Sequence, residues 1–210
     1  SLGRFISADG RFVAWRSYAD NIVPGDTNLA WDVFVRDRQL GTTERVSVDS
    51  SGNQGNGGSG LYGIGMSADG RYVAFESASS NLVPGDTNGA AEVFLRDRMG
   101  GTTERIALDS SGAQANDWSE YPSISADGRF VAFSTEASNL VTGDTNGTWD
   151  VFVRDRQLGT AERVSISTSG AQSNGGSESP SLSPDGRFVV FVSFDGGLVA
   201  GDTNGRYDVF

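Results

Sequence analysis

Cysteine, histidine and lysine are all missing from this chain of 210 residues. Without Cys there is no disulfide, no zinc–thiolate centre and no thiol nucleophile, and the redox compartment stays undecided. Without His the usual general base and the Ser-His-Asp triad are excluded from this segment, so any enzymatic chemistry would rest on carboxylates alone. Because Lys is absent, all 16 basic residues are Arg, and 27 Asp and Glu leave a net charge of −11. An acidic surface repels phosphate backbones, which argues against nucleic acid as a partner. No long apolar run is present, so no membrane insertion is expected of this segment. What is abundant is Gly, 29 of 210 residues. A Gly-rich, turn-rich, helix-poor chain points to all-β structure.

The string Gly-Asp-Thr-Asn occurs four times, with aspartates at 26, 86, 144 and 202, at intervals of 60, 58 and 58 residues. Each copy carries a Ser-x-Asp-Gly-Arg turn upstream and a Val-Phe run downstream. A period of this length marks one supersecondary unit copied several times. In the third copy Tyr121–Ser125 is a run of small residues that ends at the turn Ala126-Asp127-Gly128. Arg129–Phe133 and Asp150–Arg154 follow, apolar on both faces, and then Arg163–Ser167, which alternates. Four short strands joined by tight turns make an antiparallel meander. The two central strands need cover on both faces, whereas the half-polar fourth suits an outer edge. Sheets stacked around an axis satisfy this, and the expected fold is an all-β β-propeller segment of four-stranded antiparallel blades of about 58 residues. A β-solenoid is the weaker alternative, since its coils are usually shorter.

The blades fall at approximately 1–60, 61–118, 119–176 and 177–210, three full and a partial fourth within one propeller fragment. Phe210 corresponds to Phe34, Phe94 and Phe152, each of which runs on into Val/Leu-Arg-Asp-Arg. The sequence therefore reads as part of a longer protein, whose remainder could hold a signal peptide, an anchor or an enzyme domain. Ring closure would need further blades or self-association.

The motif Ser-Ala-Asp-Gly-Arg-Phe/Tyr-Val-Ala-Phe, followed by Asp-Val-Phe-Val-Arg-Asp and Glu-Arg-Val-Ser, resembles the bacterial TolB-like, WD-repeat-like propeller repeat. It recurs at 7–15, 67–75, 125–133 and 183–191. The resemblance implies the propeller fold and a bacterial envelope or secreted setting, periplasmic or at the cell surface. It says little of function, because similar blades serve many roles. The chain departs from the plain TolB blade in its long Asn-Leu-Val-x-Gly-Asp-Thr-Asn-Gly connection.

Strand direction alternates within a blade, so the Ser-x-Asp-Gly and Arg-Asp-Arg turns share one face of the disc. The Gly-Asp-Thr-Asn loops and the blade-to-blade connections share the other. The connections differ between blades: 53–62, with a two-residue insertion, then 113–121, then 171–178. Residues that repeat serve the blade, and those that differ are candidates for ligand contact: Tyr62, Asp117, Trp118, Glu120 and Tyr121. The plainer reading of the aromatics Trp118 and Tyr121 is packing at a blade junction.

The Gly-Asp-Thr-Asn loop places oxygen side chains at its first, third and seventh positions: Asp26, Asn28 and Asp32; Asp86, Asn88 and Glu92; Asp144, Asn146 and Asp150; Asp202, Asn204 and Asp208. Such spacing around a tight bend is how short loops supply oxygens to Ca²⁺. The loop is similar to the calcium loops of FG-GAP propellers. Those carry a further acidic or amide ligand two residues earlier, where this chain has Pro24, Pro84, Thr142 and Ala200. The competing reading, which the residues favour, is that Asp and Asn tie the loop through Asx-turns.

Asp9, Asp69, Asp127 and Asp185 precede Gly and read as hairpin-turn residues. The Arg-Asp-Arg segments read as local ion pairs, and Arg45, Arg105 and Arg163 as protection of the outer edge. No pair of carboxylates is unique to one blade in the way glycoside hydrolysis would need. The function expected is a non-catalytic binding or scaffolding module whose partner is a protein or a glycan. The alternative is the substrate-gating propeller of a larger peptidase or hydrolase, which a Gly-x-Ser-x-Gly pattern elsewhere in the parent chain would reveal.

Overall fold

The computed structural model describes residues 6–210, and the opening strand expected for the first blade falls largely on residues 1–5, outside them. Among the described residues there is no helix; fourteen strands form four antiparallel sheets. The first holds β1 (Phe12–Ser17), β2 (Asp32–Asp37) and β3 (Thr42–Arg45). The second runs β4 (Ser59–Met66), β5 (Tyr72–Ser77), β6 (Glu92–Asp97) and β7 (Thr102–Arg105). The third runs β8 (Ser119–Ile124), β9 (Phe130–Thr135), β10 (Asp150–Asp155) and β11 (Thr160–Arg163). The fourth holds β12 (Ser177–Leu182), β13 (Val189–Ser193) and β14 (Asp208–Val209). Strand order follows chain order in every sheet, as a meander requires.

The cores lie between sheets. Along β5 and β6 successive side chains point to opposite faces, so Val73, Phe75 and Phe94 pack against Ala14, Val33, Val35 and Val46 of the first sheet. Ala74, Val93 and Leu95 pack instead against Val131, Phe133 and Phe152 of the third. A two-sided apolar strand is thus buried on both sides, each large side chain contributing about 1.5–3 kcal/mol. The initial strands β4, β8 and β12 touch one another from sheet to sheet. Face-to-face sheets with their first strands together at the centre form a β-propeller arc.

The turn between the first two strands locks neighbouring blades. Asp9 accepts the Ser7 hydroxyl at 2.6 Å and the Arg11 N–H at 2.9 Å, with Gly10 at φ 72° completing the turn. The same contacts recur at Asp69, Asp127 and Asp185. Phe12 lies directly over Gly70 of the next blade, and Tyr72 over Gly128, where an added Cβ would meet the ring at 2.2 Å. Arg98 then stacks on Phe12 and Arg156 on Tyr72, 4.4 and 4.6 Å from the ring centroids.

The outer edge is covered by chain. Thr103 of β7 donates its N–H to Ser50 Oγ and its hydroxyl to the Val48 carbonyl, so a segment of the preceding repeat lies along the otherwise open strand. Arg45, Arg105 and Arg163 do not serve this purpose: their side chains are largely covered and turned inward onto Asp26, Asp86 and Asp144.

Candidate functional site

The two faces of the disc are built differently. On the turn face, Arg11, Arg71 and Arg129 each clamp the middle aspartate of an Arg-Asp-Arg segment, with Nη2 at 2.6 Å from Oδ2 of Asp37, Asp97 and Asp155. The same aspartates accept backbone N–H groups of the following turn. The guanidinium, helped by those amides, lowers the Asp37 and Asp97 carboxyls to about 2. Arg98 and Arg156 extend the pattern to Glu44 and Glu104 of the preceding blade. Every carboxylate of these segments already has a protein partner.

The opposite face carries the Gly-Asp-Thr-Asn loops. In the first, Asn28 Oδ1 accepts the Ala30 N–H in an Asx-turn, while its Nδ2 donates to Asp32 at 3.1 Å and to the Gly55 carbonyl at 3.0 Å. Gln54 from the blade connection donates to Asp26 at 2.9 Å. Arg45 comes from the outer strand, its nitrogens 3.3 Å from Asp26 and 3.6 Å from Asp32. Arg105 and Arg163 occupy the same place in the next two copies.

The substitution of Glu92 for Asp has a local counterpart. Ser47 and Ser165 donate to Asp32 and Asp150 at 2.5 and 2.6 Å. In the second copy the corresponding residue is Ala107, and the longer Glu92 instead reaches Arg105 Nε at 2.6 Å. Among the described residues no three carboxylates are grouped to share a metal ion. Asn and Gln amides and Ser hydroxyls donate to these oxygens, and a guanidinium stands beside them as the ion-pair partner. In the fourth copy Asn204 donates to Asp208 at 2.7 Å.

The non-repeating side chains gather where this face meets the inner strands. Each inner strand there carries a bulge, between Ser59 and Ile64, Glu120 and Ser123, and Glu178 and Ser181. Tyr121 and Ser179 adopt φ 54° and 56° inside theirs, a conformation that costs a residue other than Gly of order 1–3 kcal/mol. Tyr62, in the two-residue insertion, meets Tyr121 edge-on with centroids 5.9 Å apart. The insertion is held from below by two residues that differ in every copy. Arg16 donates to the Gly60 and Leu61 carbonyls, and Glu76 accepts the Tyr62 N–H at 3.2 Å.

Glu120 is 5% exposed, and Glu76 1%. Burial raises Glu76 to about 7 against the opposing pull of the Tyr62 and Leu61 amides and Arg16. Glu120 is also raised to about 7, by burial first and then by the like charges of Glu76, Glu136 and Glu178. Burial, with Glu120 and Glu178 nearby, raises the Tyr121 phenol as well. Trp118 is exposed beside this group, its carbonyl accepting the Glu136 N–H at 3.0 Å. Asp117 accepts the Trp118 N–H at 2.9 Å.

Of the five candidates read from the loops, Tyr62 and Tyr121 are in contact, and Glu120 lies close enough to Tyr121 to raise its phenol. Trp118 flanks them and Asp117 folds back on its neighbour. Loop comparison missed Arg16, Glu76, Glu136 and Glu178. A signal for Glu76 existed inside a strand: the same position holds Arg16, Ser134 and Val192 in the other copies.

No family model matches the chain, and no curated protein sequence matches it. Solved structures do. TolB from Acinetobacter baumannii is 18% identical with a TM-score of 0.57, covering 99% of this chain and 39% of its own. The tricorn protease is 17% identical with a TM-score of 0.51, over 90% of this chain and 15% of its own. Porphyromonas gingivalis dipeptidyl peptidase 4 is 13% identical with a TM-score of 0.50, over 92% of this chain and 31% of its own. At such identities the likeness is one of fold: the chain has a TolB-like β-propeller architecture and spans about two fifths of the TolB structure it matches.

Proposed function

We propose that this chain is a non-catalytic binding or scaffolding module of a bacterial envelope or secreted protein, periplasmic or at the cell surface. Its ligand face is the one formed by the blade connections and the Gly-Asp-Thr-Asn loops, and its partner is a protein or a glycan. The observation that carries this reading is the unequal distribution of side chains between the two faces. The turn face repeats one Arg–Asp clamp, whereas the residues that individualise each blade collect at the opposite inner rim.

The Gly-Asp-Thr-Asn loops serve this face as clasps. Arg45, Arg105 and Arg163 supply the positive charge that Ca²⁺ would bring, and the amide groups use the remaining oxygens, so these residue sets do not fit a bound calcium. Closure of the ring falls to further blades or a second copy. Phe188, at 62% exposure, occupies in the last sheet the place where Phe12 and Tyr72 are covered by a neighbour.

The test selects ligands from random displayed peptides and a glycan array. Substituting Tyr62→Ser with Trp118→Ser abolishes capture, whereas Leu40→Ser with Met99→Ser on the turn face leaves it intact. Loss with the second pair and not the first would overturn the proposal. In the same preparation a calcium chelator leaves the melting temperature unchanged, and a clear drop would restore the metal reading of the loops.

A further inference from the structure

The junctions between blades are built from one pair of complementary surfaces. At the first junction Ala14, Val33 and Val35 form a leading surface, and Met66, Val73 and Phe75 of the next sheet receive it. At the second, Ala74, Val93 and Leu95 repeat the leading set, with Ile124, Val131 and Phe133 as the receiving set. A lock closes the turn-face end of each junction, with Phe12 over Gly70, Tyr72 over Gly128 and Phe130 over Gly186. Beside it the Ala8, Ala68 and Ala126 N–H groups donate to the Ala68, Ala126 and Pro184 carbonyls, one rung from each blade to the next.

The two outermost sheets expose one half of this pair each. On the fourth sheet, Val209 is 70% exposed where its counterparts Val33 and Val93 are wholly buried, and Val190 is 48% exposed where Ala14 and Ala74 are covered. Phe188 holds the ring position of the lock. On the first sheet, Ile6 is 48% exposed where Met66 and Ile124 are buried. Val13 and Trp15 are half-buried there, whereas Val73 and Phe75 are fully covered. Among the described residues only the Arg38 and Ile6 side chains approach the Cβ position of Gly10, so no ring lies over it. Arg38 donates to the Gly10 carbonyl at 2.7 Å, just as Arg156, which stacks on Tyr72, donates to the Gly128 carbonyl. A guanidinium therefore stands ready to receive a ring from outside the chain. Contiguous exposed apolar surface marks an interaction site, and the internal junctions show the chemistry that covers it.

We propose that the fourth sheet of one copy docks head to tail on the first sheet of a second copy. Phe188 lies over the second copy's Gly10 and under its Arg38, while Val190 and Val209 pack on its Ile6, Val13 and Trp15. This assigns the closing partner to the chain itself and is independent of the ligand face. The junction departs from the internal ones at two points. Pro184 has no N–H, so one rung is missing; Val190, larger than the usual Ala, adds apolar area in its place. A contact between unlike surfaces closes into a ring if the rotation allows and otherwise extends as a series.

Sedimentation velocity on the whole chain, from about 1 to about 100 μM, tests this. Species of two or more chains should grow with concentration. Phe188→Asp and Ile6→Asp, both at exposed positions, each weaken self-association by about tenfold to a hundredfold, as loss of one large apolar contact implies. Mixed in equal amounts, the two variants associate more strongly than either alone, because each retains the surface the other lacks. Leu158→Ser on the turn face changes nothing. A chain that stays monomeric throughout leaves the face to a different partner and overturns the inference. Loss in Phe188→Asp without loss in Ile6→Asp also overturns it, since two fourth sheets would then face each other, and so does a mixture that associates no better than its components. Capture through Tyr62 and Trp118 is unaffected by either variant, so failure here leaves the ligand-face reading standing.

Discussion

The two faces of this propeller use carboxylates in opposite ways. On the turn face Asp37, Asp97 and Asp155 each receive a guanidinium and several amides, so the charged form is favoured and the group helps to hold the blade. At the inner rim of the loop face Glu76 and Glu120 are buried with like charges or too few donors, so the charged form is disfavoured. The first arrangement repeats blade after blade and stabilises; the second occurs once and costs stability. Groups retained against stability in a repeating scaffold are where a specific ligand contact is expected.

The largest effect that would sharpen this contrast is on the turn face. Gly128→Ala places a Cβ 2.2 Å from the Tyr72 ring in a residue at φ 75°. It should destabilise by about 2–5 kcal/mol from strain and overpacking together. Denaturant unfolding measures this, and a change within about 0.5 kcal/mol would break the picture of a rigid inter-blade lock.

Next comes pH. Glu76 and Glu120 have folded-state values raised to about 7 from 4.5, so the folded protein binds more protons than the unfolded chain between those limits. Their contribution is fully present below about pH 4.5 and is lost as pH rises through about 7. Asp37 and Asp97, lowered to about 2 from 3.8, give the reverse: stability present above about pH 4 that disappears as pH falls toward about 2. Melting temperature against pH should therefore lose part of its neutral-range decline in Glu120→Gln and part of its acid loss in Asp37→Asn. Identical profiles for the two variants would erase the distinction between the faces.

The smallest effect should be of opposite sign to the first. Tyr121→Gly relieves the positive φ at the loop-face bulge, an expected gain of up to about 1 kcal/mol offset by lost contact with Tyr62. Stability near wild type, with peptide capture lost, fits a strained binding residue. A loss comparable to that of Gly128→Ala would make Tyr121 a packing residue instead.

Much of the fold was legible from residues alone. The Gly-Asp-Thr-Asn period located the units, and the two-sided apolar runs of Val73–Phe75 and Val93–Leu95 required sheets on both sides. The Asp9 and Asp69 turns followed from Asp-Gly and its φ requirement. Arg45 was misread because a Glu-Arg pair on a short outer strand looks like surface charge. Its actual partner, Asp26, lies 19 residues earlier on a loop that folds back over the strand. The cover on β7 was likewise invisible, since it comes from Val48–Ser50 of another repeat.

Sequence by itself determined the repeating blade, because alternation, turn chemistry and period are local properties that recur within each unit. The acidic rim was decided only by tertiary structure: Glu76, Glu120, Glu136 and Glu178 stand on separate strands or just beyond them, in three sheets. Individually each looks like ordinary surface charge. Electrostatic repulsion and burial act through space, so their shared character exists only once the inner strands have been brought side by side.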